Sequence, residues 1–286
     1  MAEENNSTIL LIGGPDTGKT HFGGQLYGRL ETHSSFYKII SPPEDLTIFK
    51  EVLDNLNEGR ATGHTPTATN KLLELKIEDN NGRKSAFSFP DYGGEQIQTI
   101  VNSRKIDKVW KEQITRSDAW MLFIRPDKIE LLEDITNRDL PEQSVLDKRQ
   151  SGEQPMILSA TAFFVELIQI LLYTKKATTK QKLTNPSITV VLSCWDLIEM
   201  QVKGTLPKDV LKERLPALYS FIDATWEEDT FKVFGLSSTG KTLSLTEPDT
   251  DFVKKGPENF GYFINHLGEK KEDLTLSIAA VIGTGK

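Results

Sequence analysis

The sequence has a single cysteine, Cys194, in 286 residues. No intrachain disulfide can form, so the core alone must hold the fold. No stretch approaches the ~18 consecutive apolar residues of a membrane-crossing helix. The acidic, polar residues 1–8 lack the apolar run of a secretory signal. These two absences predict a cytoplasmic protein with no membrane partner. Basic residues are in deficit, with 34 Lys and Arg against 41 Asp and Glu and a formal net charge of −7. That balance disfavours broad binding to nucleic acid. Histidine is scarce too. His21, His33, His64 and His266 are scattered and share no metal-ligand spacing. No internal repeat is present.

What is there suffices for a globular core: 37% of residues are hydrophobic and 26% charged. Short apolar runs at 8–12, 119–124, 188–192 and 232–236 read as buried strands. Helical patterns cover 19–31, 46–56, 97–114, 157–175 and 207–225. Residues 72–78 and 85–89 alternate as half-buried strands around Asp79-Asn80-Asn81-Gly82, a hairpin turn signal. Strands alternating with helices predict an α/β fold, a mostly parallel sheet with helices on both faces and one antiparallel strand contributed by the hairpin. Residues 127–155 are charged and weakly periodic, which suits an exposed insertion. Residues 242–258 read as a polar loop, with two loosely defined elements after it, at 261–267 and 274–282.

Four segments carry chemistry. Gly13-Gly14-Pro15-Asp16-Thr17-Gly18-Lys19-Thr20 has the G-x-x-x-x-G-K-[ST] pattern, after a predicted strand and at the start of a predicted helix. Glycines let backbone N–H groups converge on phosphate oxygens, and the helix N-terminus favours the anion. Lys19 supplies charge to the β- and γ-phosphates, Thr20 offers a hydroxyl to Mg²⁺, and His21 follows directly. The fold class is therefore a P-loop NTPase three-layer sandwich. The second segment, Asp91-Tyr92-Gly93-Gly94-Glu95, ends the hairpin. A carboxylate at Asp91 suits the Mg²⁺ shell, and Gly94 can bring a backbone N–H to the γ-phosphate.

The third segment, Ser193-Cys194-Trp195-Asp196, follows a later strand. Asp196 can accept from both the N1–H and the exocyclic amine of guanine, a pattern adenine does not offer. An Asp there also suits a helix N-cap. In the fourth, Ser237 and Ser238 are small enough for backbone N–H groups to approach a base carbonyl. The nearby Ser238-Thr239-Gly240-Lys241-Thr242 lacks the first glycine of a second P-loop and reads as a loop.

In this order, the four segments resemble the motifs of small Ras-like GTPases of the translation-factor-related class. Asp91 to Gly94 matches D-x-x-G, residues 193–196 resemble a degenerate N/T-K-x-D motif, and Ser237-Ser238 resembles S-A. The resemblance covers roughly 7–240. It implies a domain at 1–240 and a C-terminal extension at 241–286 packed on it. Within that class the chain looks most like the divergent bacterial double-GTPase group, encoded in multi-gene loci implicated in conflict or defence.

The resemblance implies a guanine-nucleotide switch that binds GTP and GDP with Mg²⁺, hydrolyses GTP, and acts through a protein effector, an activator or a second copy of itself. It implies catalytic roles for Lys19, a switch threonine, Gly94 and Glu95. Thr65, Thr67 and Thr69 all precede the hairpin; spacing favours Thr67 or Thr69, and Thr67 joins Thr20 and Asp91 as the expected metal set. The expected nucleotide contacts are residues 13–21 with Ser193, Trp195, Asp196, Ser237 and Ser238.

Besides the switch threonine, which is not unique, the sequence departs from the pattern at two more positions. Cys194 replaces the lysine that packs under the base and braces the P-loop, which keeps ATP open as the nucleotide and a non-catalytic binding module open as the activity. Glu95 stands where a water-orienting glutamine is usual, so intrinsic hydrolysis is expected to be slow. Arg60, Arg104 and Arg125 are candidate arginine fingers, although solvated or paired roles suit each of them too.

Overall fold

The computed structural model describes residues 7–32, 35–41, 43, 46–63, 71–91, 95–129 and 159–282. β1 (Ser7–Gly13) leads into α1 (Lys19–Thr32), β2 (Tyr37–Ser41) and α2 (Thr47–Asn57). The hairpin of β3 (Lys71–Asp79) and β4 (Lys84–Asp91) precedes α3 (Glu95–Ser103), α4 (Lys108–Arg116) and β5 (Ala119–Ile124). Then come α5 (Ala160–Lys175), β6 (Ser187–Ser193), α6 (Pro207–Arg214), α7 (Pro216–Thr225) and β7 (Phe231–Ser237). The last elements are α8 (Thr250–Lys255), β8 (Tyr262–Ile264), β9 (Lys270–Lys271) and α9 (Thr275–Ile282).

Among the described residues the strands form one sheet in the order β2-β3-β4-β1-β5-β6-β7-β8-β9. β4, β1, β5, β6 and β7 are parallel neighbours. β3 opposes β4 as the hairpin requires, and β8 opposes β7. This is the mostly parallel sheet of a P-loop NTPase sandwich. Its central strands are buried on both faces, which is why every residue of β5 is buried. Along β1 the two periods separate. Ile9 and Leu11 join Phe22, Phe123 and Ile278 in one core, while Leu10 and Ile12 join Trp120, Leu171 and Ile222 in the other. Each such side chain removed from water contributes roughly 1.5–3 kcal/mol.

The hairpin turn is closed by Asp79, whose Oδ1 accepts from the backbone N–H of Asn81 (2.8 Å) and Arg83 (2.9 Å). Gly82 there has φ +79°. Two expected helices are each divided. The pattern over 97–114 breaks after Ser103, where Arg104 turns left-handed at φ +53°, and Asp107 caps α4 by accepting from Trp110 N at 2.8 Å. The pattern over 207–225 breaks at Leu215, and Pro216 restarts it at a first-turn position where its missing N–H costs nothing. The expected insertion at 127–155 lies almost wholly outside the described residues. Among them, no helix is long and apolar enough to cross a membrane.

Candidate functional site

The parallel strands deliver their motifs to one edge of the sheet. Gly13 ends β1, Asp91 ends β4, Ser193 ends β6 and Ser237 ends β7, so the C-terminal strand ends face one crevice. A cavity of about 300 Å³ opens there. It is lined by Pro15 to Thr20 of the P-loop and the following His21, and by Cys194, Asp196, Leu197, Ser238 and Thr239. This volume lies at the lower end of small-ligand pockets, about 300–1,000 Å³.

The P-loop needs its first glycine for space. A Cβ on Gly13 would lie 2.9 Å from both Phe123 Cβ and Thr17 Oγ1. Gly18 (φ +75°) and Asp16 (φ +56°) are both left-handed, which turns successive N–H groups into the concave side. Thr17 Oγ1 donates to Gly14 O at 2.9 Å, and Lys19 Nζ donates to Gly14 O at 2.7 Å. Burial pulls the Lys19 ammonium down to about 7, against a smaller opposing effect of Asp16. A polyanion beside it would restore the charge. His21 Nε2 accepts the backbone N–H of Thr62 at 3.1 Å, and burial pulls its pKa down, consistent with a neutral acceptor. This bond joins α1 to the segment leading towards Thr65, Thr67 and Thr69.

Those three threonines, with Tyr92, Gly93 and Gly94, lie outside the described residues. Asp91 and Glu95 are placed by their backbone, as the last residue of β4 and the first of α3.

Asp196, also in the cavity wall, is half-buried, and its Oδ1 accepts from Ser237 Oγ at 2.6 Å. Ser237 Oγ accepts in turn from Gly240 N at 3.0 Å, which ties the carboxylate to the loop after β7. Asp196 begins no long helix; it sits in a single 3-10 turn, Trp195–Leu197. Cys194 holds the left-handed conformation at φ +52° before that turn. Burial pushes its thiol up to about 11.

Three expected contacts have their side chains directed elsewhere. Trp195 is 3% exposed and packs over Gly235, where a Cβ would lie 2.4 Å from the indole. Ser193 Oγ donates to Ile124 O at 3.1 Å, locking β6 to the end of β5. Ser237 is buried and acts on Asp196. None of these side chains lines the cavity, and neither Gly13 nor Gly14 does. Ser237 therefore holds the Asp196 carboxylate from behind the cavity wall.

Sequence reasoning missed part of the remaining wall. Val52 of α2, Ala61, Thr62 and Leu243 line the cavity too, together with Lys241 of the 238–242 loop and Arg125, which the sequence offered only as an arginine finger. Ala61 N donates to Ser244 O at 2.8 Å and Asp249 N donates to Gly59 O at 2.9 Å, joining the segment after α2 to the loop after β7. Lys241 is committed to Asp249 at 2.7 Å and lies over the rings of Phe252 and Phe260. The 238–242 segment is thus a loop, as its sequence predicts, and one that walls the site. Of the candidate arginine fingers, Arg104 pairs with Glu166 (2.8 Å) and Arg60 with Glu58, while Arg125 alone reaches the cavity.

No curated protein matches the chain. Among solved structures, the S. cerevisiae Ski7 GTPase-like domain bound to GDP and inorganic phosphate aligns over 87% of this chain and 48% of its own, with 14% identity and a TM-score of 0.39. Sup35 complexed with GDP aligns over 89% of this chain and 42% of its own, with 12% identity and a TM-score of 0.37. The signal recognition particle receptor SRb-GTP/SRX complex from Chaetomium thermophilum aligns over 84% of this chain and 94% of its own, with 14% identity and a TM-score of 0.39. The chain spans less than half the length of the Ski7 and Sup35 chains. The weight of the assignment rests on the family model described as Double-GTPase 1, which matches residues 10–281, and the chain belongs to that family.

Proposed function

We propose that this chain is a GTP-binding switch that hydrolyses GTP slowly and acts by binding a partner. The observation that carries the reading is the convergence of P-loop residues Pro15 to Thr20 and the Ser237-held Asp196 on one cavity. Lys19 and the P-loop amides take the phosphates, and Asp196 takes the Watson–Crick edge of guanine. Hydroxyl and carboxylate oxygens at Thr20, Thr67 and Asp91 are hard donors that suit Mg²⁺. The ion would neutralise charge on the β- and γ-phosphates. Contacts of Thr67 and Gly94 with the γ-phosphate would exist only in the GTP state, which is what distinguishes it from the GDP state. The chain works in the cytoplasm, within the conflict or defence setting that its double-GTPase resemblance implies.

Slow turnover follows from Glu95. A carboxylate can accept from an attacking water but cannot also donate to the transferring phosphoryl group. An arginine supplied in trans, by a second copy or a separate protein, would be worth ~10³–10⁵ in rate. Single-turnover GTP hydrolysis across a range of protein concentrations tests this. Slow hydrolysis that rises with concentration or with an added partner is expected. A concentration-independent rate of ~10 s⁻¹ would contradict it. One observation favours a second reading, ATP hydrolysis on the same scaffold: the neutral thiol of Cys194 offers no cation beneath the base.

A further inference from the structure

The base end of the cavity has a cation all the same, and it comes from a different strand. Arg125 directly follows β5 and lines the cavity together with Cys194 and Asp196. Its Nη1 donates to the backbone carbonyl of Asp16 at 3.3 Å. Its Nε donates to both carboxylate oxygens of Asp127, at 2.9 and 3.1 Å. The backbone on either side is anchored: Ile124 O accepts from Ser193 Oγ at 3.1 Å, and Pro126 O accepts from Arg214 Nη1 at 2.6 Å. The guanidinium therefore projects from a fixed point to a fixed point.

Asp16 is where such a brace has most effect. It is a non-glycine residue in the left-handed region, at φ +56°, a conformation that persists only where its surroundings hold it. Arg125 holds its carbonyl, and Lys128 Nζ holds its carboxylate at 3.0 Å from outside the cavity. Cys194 lies beside the same loop, since a Cβ on Gly18 would be 3.9 Å from its Sγ. A thiol there can neither donate strongly to the loop nor carry charge.

We propose that Arg125 is a nucleotide-binding residue that braces the P-loop through Asp16 and presents its planar cation to the nucleoside, in place of the lysine that Cys194 displaces. This rests on the nucleotide-site reading above. It also sets Arg125 apart from the arginine-finger candidates, because its Nε and Nη1 tie it to Asp127 and to the Asp16 carbonyl, beside Cys194 and Asp196. The guanidinium has five N–H donors, so these two partners leave capacity for a ligand, and its flat face suits stacking on a ribose or purine.

The test uses the full chain, with fluorescent GDP and GTP for equilibrium binding and unlabelled GTP for single-turnover hydrolysis. Arg125→Ala should weaken GDP and GTP alike, by roughly 10- to 100-fold. The diagnostic is the shared loss: a brace lowers the affinity for GDP and GTP together, whereas an arginine finger would leave GDP affinity intact and lower the hydrolysis rate alone. Arg125→Lys keeps the charge but loses the planar fork, so its affinity should fall between wild type and Arg125→Ala. GDP affinity unchanged in Arg125→Ala would overturn the proposal, and doubly so if hydrolysis fell ~10³-fold, the behaviour of an arginine finger. Arg125→Lys as weak as Arg125→Ala would also contradict it. Wild-type protein that binds neither GDP nor GTP would instead defeat the nucleotide-site reading on which it depends.

Discussion

Ser237 donates a 2.6 Å hydrogen bond to Asp196 across 41 residues of sequence, joining the end of β7 to the turn after β6. The bond takes one lone pair of a carboxylate that has about four and fixes its plane towards the cavity. Ser237→Ala should therefore weaken GTP binding by roughly 10-fold, the weight of a hydrogen bond to a charged group. Equilibrium binding measures it, and an unchanged affinity would show that Asp196 needs no support.

Asp196→Asn tests the base reading. An amide can donate where the carboxylate only accepts, so preference should shift from guanine towards xanthine nucleotides. Competition between GTP and xanthosine triphosphate, on wild type and variant, reads the shift. Parallel loss of both nucleotides would leave Asp196 as a structural residue.

Gly235 and Trp195 occupy one volume. A Cβ on Gly235 would stand 2.4 Å from Trp195 Cδ2, within the core. Gly235→Ala must push the indole aside, and overpacking of this kind costs roughly 1–3 kcal/mol. The displaced indole carries Asp196 with it. Thermal unfolding should drop by several degrees, roughly 2–4 °C per kcal/mol for a chain of this size, and guanine affinity should fall with it. A variant as stable as wild type would mean that the Trp195–Gly235 contact is not close.

Cys194 gives a pH-dependent probe. Its thiol is pushed up to about 11 by burial, so the reactive thiolate is scarce at neutral pH. Alkylation at pH 7.5 should be on the order of 100-fold slower than for an exposed cysteine. It should rise about tenfold per pH unit as the pH approaches 11 and fall further when nucleotide fills the cavity. Mass spectrometry of the native and denatured chain follows the reaction. Equal rates in the two states would contradict the buried placement.

The parallel strands and the P-loop were legible because apolar runs and glycine spacing are local signals. α2 was legible as well, since Phe49, Val52 and Leu56 recur at helical spacing and are all buried. β2 was not: it is an edge strand in which Tyr37 alone is fully buried, so it carries no alternation to read. The break at Arg104 was hidden because a left-handed non-glycine residue leaves no mark in composition. α8 was hidden inside a polar loop because six residues with one buried side chain, Phe252, make too short a pattern. In the site, residues within a motif were found, and those brought by tertiary contact were not read as cavity lining. Val52 and Thr62 carried no signal, Arg125 was read only as an arginine finger and Lys241 only as part of a loop. Ser193 and Trp195 sit in a motif whose spacing predicts contact, yet their side chains hold β5 and Gly235.

The central claim is that this cavity holds a guanine nucleotide by its phosphates and its base. Lys19 lies in the cavity and its ammonium rests on the Gly14 carbonyl at 2.7 Å, where a phosphate oxygen can replace that partner. The most direct measurement is titration calorimetry of GTP and ATP, each with Mg²⁺, into nucleotide-free wild type and Lys19→Ala. The account predicts tighter binding of GTP than ATP by the wild type, and loss of both in a variant that melts within a few degrees of it. Lys19→Ala binding GTP as tightly as wild type, or wild type preferring ATP, would contradict it.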